Sequence, residues 1–327
     1  KNGTIDSQRG DYPDGSQYRS LGLFLNDNLV FSTKFDLNIG LRWSSINLSS
    51  QLEPPFGQFD DNYSDLTGTV GLSYKPKLWL NLICRYAKGF RAPNFNDTVV
   101  LKVSNAGVDA PSPGLSPEKS HNFEMGVKLN NEQMTGSLFL FYNRVLDLID
   151  RYRGTYQGLD FYDENSNGVR DSEEADIFQK LNVDRAYIAG WELEGKAQLS
   201  QRWSVKGFAF WTYGHDLTLN EPMSRIPPLM GIAAIQFSPM AKLSIEALVR
   251  AATKQDRLSG RDKDDNRIPL NGTPGWSTLN FRFAWSVWSQ LKLNLIFENM
   301  LDETYKEHGS GIYSPGKNLV VGLRYGN

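Results

Sequence analysis

Between Asp163 and Glu174 the chain places an oxygen-bearing residue at nearly every position where a hard cation needs one. Six to eight oxygens around Ca2+ are supplied by a twelve-residue loop with ligands at positions 1, 3, 5, 7, 9 and 12. Asp163, Asn165, Asn167, the Val169 carbonyl, Asp171 and Glu174 occupy those positions, and Gly168 stands where the loop must turn sharply. A calcium ion is therefore expected here, as a staple within a loop. The competing reading is an acidic, solvated loop that meets the template by chance. The shorter run Asp262, Lys263, Asp264, Asp265 and Asn266 lacks the full spacing and reads as a solvated loop.

The other reactive residues are sparse. There are 3 histidines: His121 begins a strand pattern, His215 opens a long loop and His308 lies in the last one. The single Cys84 cannot form an internal disulfide and sits in apolar surroundings. No nucleophile–base pair, phosphate loop or zinc motif stands out, so catalysis is not expected. A net charge of −2 gives no basic field for nucleic acid.

The elements that carry these residues are strands. From 276 to 288, Leu279, Phe281, Phe283, Trp285 and Val287 alternate with Asn280, Arg282, Ala284 and Ser286. After Ser289 and Gln290 the pattern restarts, with Leu291, Leu293, Leu295 and Phe297 on the apolar side. Period-two alternation gives each strand one oily and one polar face, and the short connection makes an antiparallel hairpin. About ten residues per strand suits a tilted crossing of a bilayer. Mean hydropathy is −0.44, which excludes bundles of membrane helices but not a transmembrane barrel, whose strands are half polar. Aromatic residues are abundant (8 Trp, 14 Tyr, 18 Phe), as interfacial girdles require.

The same pattern recurs in segments 18–30, 34–47, 66–75, 78–90, 119–129, 134–150, 183–199, 203–213, 225–237, 242–252, 276–288, 291–299 and 317–325. Tight turns alternate strictly with longer polar loops at 49–65, 91–118, 151–182, 214–224, 253–275 and 300–316. Short periplasmic turns and long external loops produce that alternation. The fold class expected is all-β, a transmembrane antiparallel β-barrel. An odd number of strands cannot close a bacterial single-chain barrel. Residues 1–327 are therefore expected to be the C-terminal part of a larger barrel, completed by strands upstream or on another chain. Arg42, Arg85, Arg250, Arg282, Arg324, Asp36, Glu124, Glu192, Glu194 and Glu246 fall on the lumen side, where polar pairing within the wall is the expected role. Loop aromatics (Phe56, Phe59, Tyr63, Tyr152, Tyr156, Phe161, Tyr162, Tyr305 and Tyr313) could line a ligand vestibule or pack the loops together.

Ordered along the chain are pieces that resemble the TonB-dependent outer-membrane receptors. Tyr86 to Phe95 contains Gly89, Phe90, Arg91, Ala92 and Pro93 before a long loop. Leu115, Ser116, Pro117 and Glu118 follow, then Glu124, Met125 and Gly126. Ala189, Gly190 and Trp191, the Arg225 to Pro228 strand start, Glu298 to Asp302 with Tyr305, and Pro315 to Asn318 complete the set. The resemblance implies a 22-stranded barrel with an N-terminal plug, absent from this chain, that is displaced through TonB. It implies active import across the outer membrane of a scarce ligand such as an iron-siderophore, haem-type compound or cobalamin. Members that ligate haem would show a histidine between the two motifs, and residues 94–114 contain none. A passive diffusion channel and a surface adhesion component are the rival readings.

Overall fold

The computed structural model describes residues 10–52, 56–104, 107–172 and 174–326. The first wall strands are β1 (Gln17–Val30), β2 (Phe35–Gln51), β3 (Gln58–Lys77) and β4 (Leu80–Arg91). A short helix α1 (Phe95–Thr98) and the small strands β5 (Lys102–Ser104) and β6 (Gly107–Asp109) follow. Then come β7 (Glu118–Asn130), β8 (Met134–Arg153), β9 (Ile177–Gln198), β10 (Trp203–Asp216) and the two-residue β11 (Glu221–Pro222). The chain ends with β12 (Met230–Met240), β13 (Leu243–Ala252), helix α2 (Gly260–Asp264), β14 (Trp276–Trp288), β15 (Leu291–Glu298) and β16 (Asn318–Tyr325). The wall is a single antiparallel sheet in the order β1-β2-β3-β4-β7-β8-β9-β10-β12-β13-β14-β15-β16, so each strand pairs with its neighbour in sequence. These thirteen wall strands correspond one to one with the thirteen segments read from the alternation, except that the ninth begins at Met230 rather than 225, so Arg225 to Pro228 precede the strand instead of starting it. β1 and β16 end the order and do not pair with each other.

One face runs unbroken around the sheet because directly opposed residues of antiparallel strands point the same way. Leu25, Leu41 and Gly68 are neighbours, as are Cys84, Met125, Leu140, Trp191 and Trp211. Val249, Leu279 and, two residues along, Phe281, Phe297 and Leu319 continue it. Its side chains are bare: Leu23 is 64% and Leu323 71% exposed. A soluble sandwich would bury such a face against a second sheet; this one is left for lipid.

The opposite face is polar. Glu246 accepts from Lys206 at 2.6 Å and from Arg282 at 3.3 Å, and Arg85 pairs with Glu124 at 3.3 Å. Lys75 pairs with Asp36, and Ser137 donates to Glu194 at 3.1 Å. The expected lumen pairing is therefore present.

Two expectations change. The segment expected to be a long loop at 49–65 is largely strand, since β2 and β3 pair out to Gln51 and Gln58, whereas β8 and β9 take only the ends of 151–182, to Arg153 and from Ile177. At about 3.3 Å per residue, strands of 20 and 22 residues overshoot a bilayer crossing and project beyond it. The second change is local. A register shift between Ser286 and Trp288 displaces Val287 from the ladder and pairs Trp288 with Leu291.

The protein core lies outside the membrane band, in this projecting end. Leu48, Leu52, Phe59, Tyr63, Ala92 and Val99 form one buried cluster, and Val108, Ala110, Tyr156 and Ile177 another. Leu48 follows Arg42 and Ser44 on the lumen side of β2. Past the bilayer the inward face thus switches from polar to apolar, and gains an ordinary hydrophobic core to hold the loops.

Candidate functional site

The outer end of the lumen wall brings the two strongest sequence motifs into contact. Arg91 and Glu118 are cross-strand partners at the top of β4 and β7. Arg91 Nε and Nη2 each donate to Glu118 at 2.6 Å, a two-pronged pair, while Nη1 donates to Asp97 at 2.6 Å. Glu118, foremost, holds the guanidinium pKa above its already high usual value. Asp97 in turn caps α1 by accepting from the Asn94 backbone N–H at 3.0 Å, while the Asn94 side chain accepts from Asn96 and Asp97. Glu118 also accepts the Ile149 N–H at 2.8 Å, tying in β8. These motif residues hold the loop base rather than a ligand.

Under the last loop lies a polar cavity of about 470 Å³, lined by Arg250, Asn280, Arg282, Glu298, Asn299 and Glu307 among others. Arg250 donates to Glu307 at 3.3 Å and rests 5.4 Å from the Trp276 ring, which stacks on Tyr305 at 4.1 Å. Asn299, at a positive φ of 49°, accepts the Glu303 N–H and donates to the Glu303 and Pro315 carbonyls. A solute moving through the lumen would meet mixed charge here, with the rim fixed by hydrogen bonds.

Beside this cavity the run 262–266, read as a solvated loop, is in fact a structural node. Asp262 is 1% exposed. It bonds the Ser259 N–H, receives the Arg225 N–H at 3.1 Å and closes the capping box of α2. Asp265 binds Arg225 and Arg267, and the Arg267 guanidinium foremost draws its carboxyl down to about 2. The spacing of Ser259 and Asp262 carried a capping-box signal for Asp262.

His308 packs against this node. Its Nδ1 lies 2.9 Å from Thr273 Oγ1, and its Nε2 is buried with no partner among the described residues. Burial foremost pushes its pKa below the ordinary histidine value, against the nearby Asp262, which raises it, and with Arg225, which lowers it. Folding thus favours the neutral ring: its full contribution is present above the unfolded value near 6.5 and is lost as pH falls toward the folded one. Asp265 stays ionised across that range. Protease nicking within 303–314 is expected to rise between pH 7.5 and pH 5 in the wild type, with that rise abolished in His308→Gln. Equal nicking of the wild type at both values would refute this.

The loop expected to hold calcium is closed by its own hydrogen bonds. Asp163 accepts from the N–H groups of Asn167 (3.0 Å) and Gly168 (2.7 Å), and Gly168 takes the positive φ of 71° that the turn requires. Asn165 and Asn167 donate to Asp171, and Val169 N–H donates to Asn167. Glu174 bonds the N–H groups of Glu164 and Asp171. Among the described residues, no three His, Cys, Asp or Glu side chains are gathered as a metal-holding group. The aromatic residues, whose role was open, mostly pack loops: Phe59, Tyr63, Tyr156 and Phe161 are buried, whereas Tyr313 is exposed beneath Lys306. His121 meets Tyr86 Oη at 2.7 Å, and His215 contacts Arg257 and Asn220.

Fold and outer end together define an outer-membrane β-barrel wall with a polar lumen and structured external loops. Residues 1–300 match the family model for the TonB dependent receptor-like β-barrel, and the chain belongs to that family. Its members are bacterial outer-membrane transporters, not enzymes. The chain is 24% identical, over 98% of its length and 46% of the relative's, to the heme/hemopexin utilization protein C of Haemophilus influenzae. It is 21% identical, over 90% of its length and 42% of the relative's, to a probable TonB-dependent siderophore receptor, PirA, of Acinetobacter baumannii. Among solved structures, the copper transporter OprC superposes with a TM-score of 0.77 at 16% identity, covering 95% of this chain and 48% of OprC. The Serratia marcescens hemophore receptor HasR gives 0.73 at 16%, covering 94% and 51%. The chain thus spans about half the length of the relatives it matches.

Proposed function

We propose that this chain is the wall-and-loop half of a TonB-dependent importer that captures a scarce iron compound, with an iron chelate of the siderophore kind ahead of haem or cobalamin. The observation that carries the reading is the lumen wall itself: thirteen strands with a polar inner face, with the last external loop lying over a polar cavity at the outer end. An adhesin would need the outer loops but not the lumen ladder of Lys206, Glu246 and Arg282. Haem stands lower because residues 94–114 hold no histidine, and His121 and His215 are engaged by protein partners. The free edges of β1 and β16 require further strands in lipid, and a plug within the lumen would respond to TonB. Both belong to the rest of the receptor, on the same chain or another.

Cells carrying the complete receptor are expected to accumulate a radiolabelled ferric siderophore, with uptake lost on deleting the receptor or collapsing the membrane potential. Uptake that persists without the potential would instead indicate a diffusion channel. Binding without any uptake would indicate an adhesin.

Calcium in the 163–174 loop belongs to the same reading, as a staple on the longest projecting hairpin. What supports it is the Asp163 carboxylate folding over the Asn167 and Gly168 N–H groups, which already closes the turn. Asp163→Ala should abolish the heat released on titrating calcium into the receptor and expose the loop to protease. No heat from the wild type would end the proposal.

A further inference from the structure

The lipid-facing side carries a feature at its outer edge that import does not use. Tyr86, Phe123, Tyr142, Ala189 and Tyr213 are register neighbours across β4, β7, β8, β9 and β10. Tyr86 lies 5.0 Å from Phe123, and Tyr187, one register step further out, lies 5.7 Å from Tyr142 and 5.9 Å from Tyr213. They form an aromatic girdle of the kind that marks a membrane boundary.

Just beyond the girdle the same face becomes cationic. The next register row is Lys88, His121, Arg144, Tyr187 and His215, and the row after it contains Lys119 and Arg185. Arg257 reaches back from the loop between β13 and β14 and lies 3.7 Å over the Tyr213 ring, donating to the Gly214 carbonyl at 2.7 Å. Lys88 is neutralised by Asp65 at 2.7 Å. Lys119, Arg144, Arg185 and Arg257 have no carboxylate within ion-pair distance among the described residues. Elsewhere on this rim, the outward rows read Gly231, Ala251 and Ser277 on one flank and Leu21, Ser45 and Ser64 on the other, all uncharged. The outward cations without a carboxylate partner therefore cluster on β7–β10 and the loop folded over it, with Arg19 on β1, which donates to Gln17, standing apart from them.

We propose that this patch binds the phosphate groups of a phosphorylated glycolipid headgroup in the outer leaflet. Like charges clustered at one level repel one another unless a counter-charge joins them, and guanidinium groups match phosphate two-pronged. The girdle directly beneath puts the patch at headgroup depth, so the anion is lipid-borne rather than free. Rings below and cations above meet an amphiphile's two halves in the right order. The inference depends on the outer-membrane location that family membership gives and is independent of the nutrient carried.

The test uses the complete receptor in detergent micelles, titrated with a bis-phosphorylated, acylated glucosamine disaccharide and followed by native mass spectrometry. Wild type should retain the lipid, and Lys119→Gln/Arg144→Gln/Arg185→Gln should bind it roughly 100-fold more weakly. Should the triple variant not fold, as judged by the migration of unboiled samples, Arg144→Gln alone should weaken binding by roughly 5-fold. Neutralising Arg202, Lys242 and Lys292, which line the inner mouth, should leave binding unchanged. Wild-type affinity in the folded charge variant would overturn the proposal. So would equal binding of the dephosphorylated lipid, or displacement of the lipid by millimolar inorganic phosphate, which would mark a free-anion site.

Discussion

Asp262→Ala is expected to loosen the outer loops over β12–β16 while leaving the membrane band intact. The carboxylate serves several groups at once: the Ser259 N–H, the Arg225 N–H and, at 3.9 Å, the Arg225 guanidinium. Removing it uncaps α2 and leaves a buried donor on each of two chain segments. The cap contributes about 1 kcal/mol, and the orphaned donors beside a half-exposed Arg225 raise the total to about 3 kcal/mol. Arg225 sits at a positive φ of 60°, held there by these contacts and by Asp265. Its release should propagate to Gly309, whose carbonyl it approaches, and to His308 behind it. Hydrogen exchange is the measurement: amides in 257–268 and 303–314 should lose protection, while those in the periplasmic turns should not. Asp262→Asn keeps an acceptor but sets an amide donor against donors, so its loss should fall between. Unchanged protection in 303–314 would show that α2 and the last loop are not coupled.

That coupling was invisible in the sequence for a physical reason. Within the bilayer one face must meet lipid, so most segments alternate and could be read directly, while 134–150, 203–213 and 225–237 carry apolar residues on both faces in places and read less cleanly. Beyond the bilayer the constraint lapses. Leu48, Phe59 and Tyr63 continue the lumen side of their strands as a loop core, which made 49–65 look like the end of a strand and the start of a loop. Asp262 looked solvated because its neighbours Lys263 and Asp264 are charged; burial is set by segments far along the chain, Arg225 and His308 among them. Arg91 and Glu118 were legible as motif residues, and their opposite charges hinted at a pair, but only register makes them partners. The calcium spacing was legible as chemistry, whereas the hydrogen bonds that close the loop depend on its folded geometry.

Two motif glycines give the sharpest separation between what a sequence pattern marks and what geometry demands. Gly126 and Gly190 both face the lumen, and each is the cross-strand partner of a phenylalanine, Phe139 and Phe141, that lies over it. A β-carbon at Gly190 would come within 2.2 Å of the Trp211 carbonyl oxygen and 2.6 Å of the Phe141 ring. The ring can turn aside; the carbonyl belongs to the ladder between β9 and β10 and cannot move without breaking it. Gly190→Val should therefore cost about 3 kcal/mol, the upper end for overpacking, and lower the temperature at which the unboiled receptor unfolds in detergent. At Gly126 every close contact is with the Phe139 ring, the nearest at 2.2 Å. Gly126→Val should cost less, about 1 kcal/mol, and Phe139→Leu should rescue it. Phe141→Leu should not rescue Gly190→Val, because the carbonyl remains. Gly195→Val is the control: its only close neighbour is the Thr135 carbonyl at 3.7 Å, ordinary contact distance, and it faces lipid, where valine suits a strand. A Gly190→Val receptor as heat-stable as Gly195→Val would mean that β9 and β10 are not held in this register.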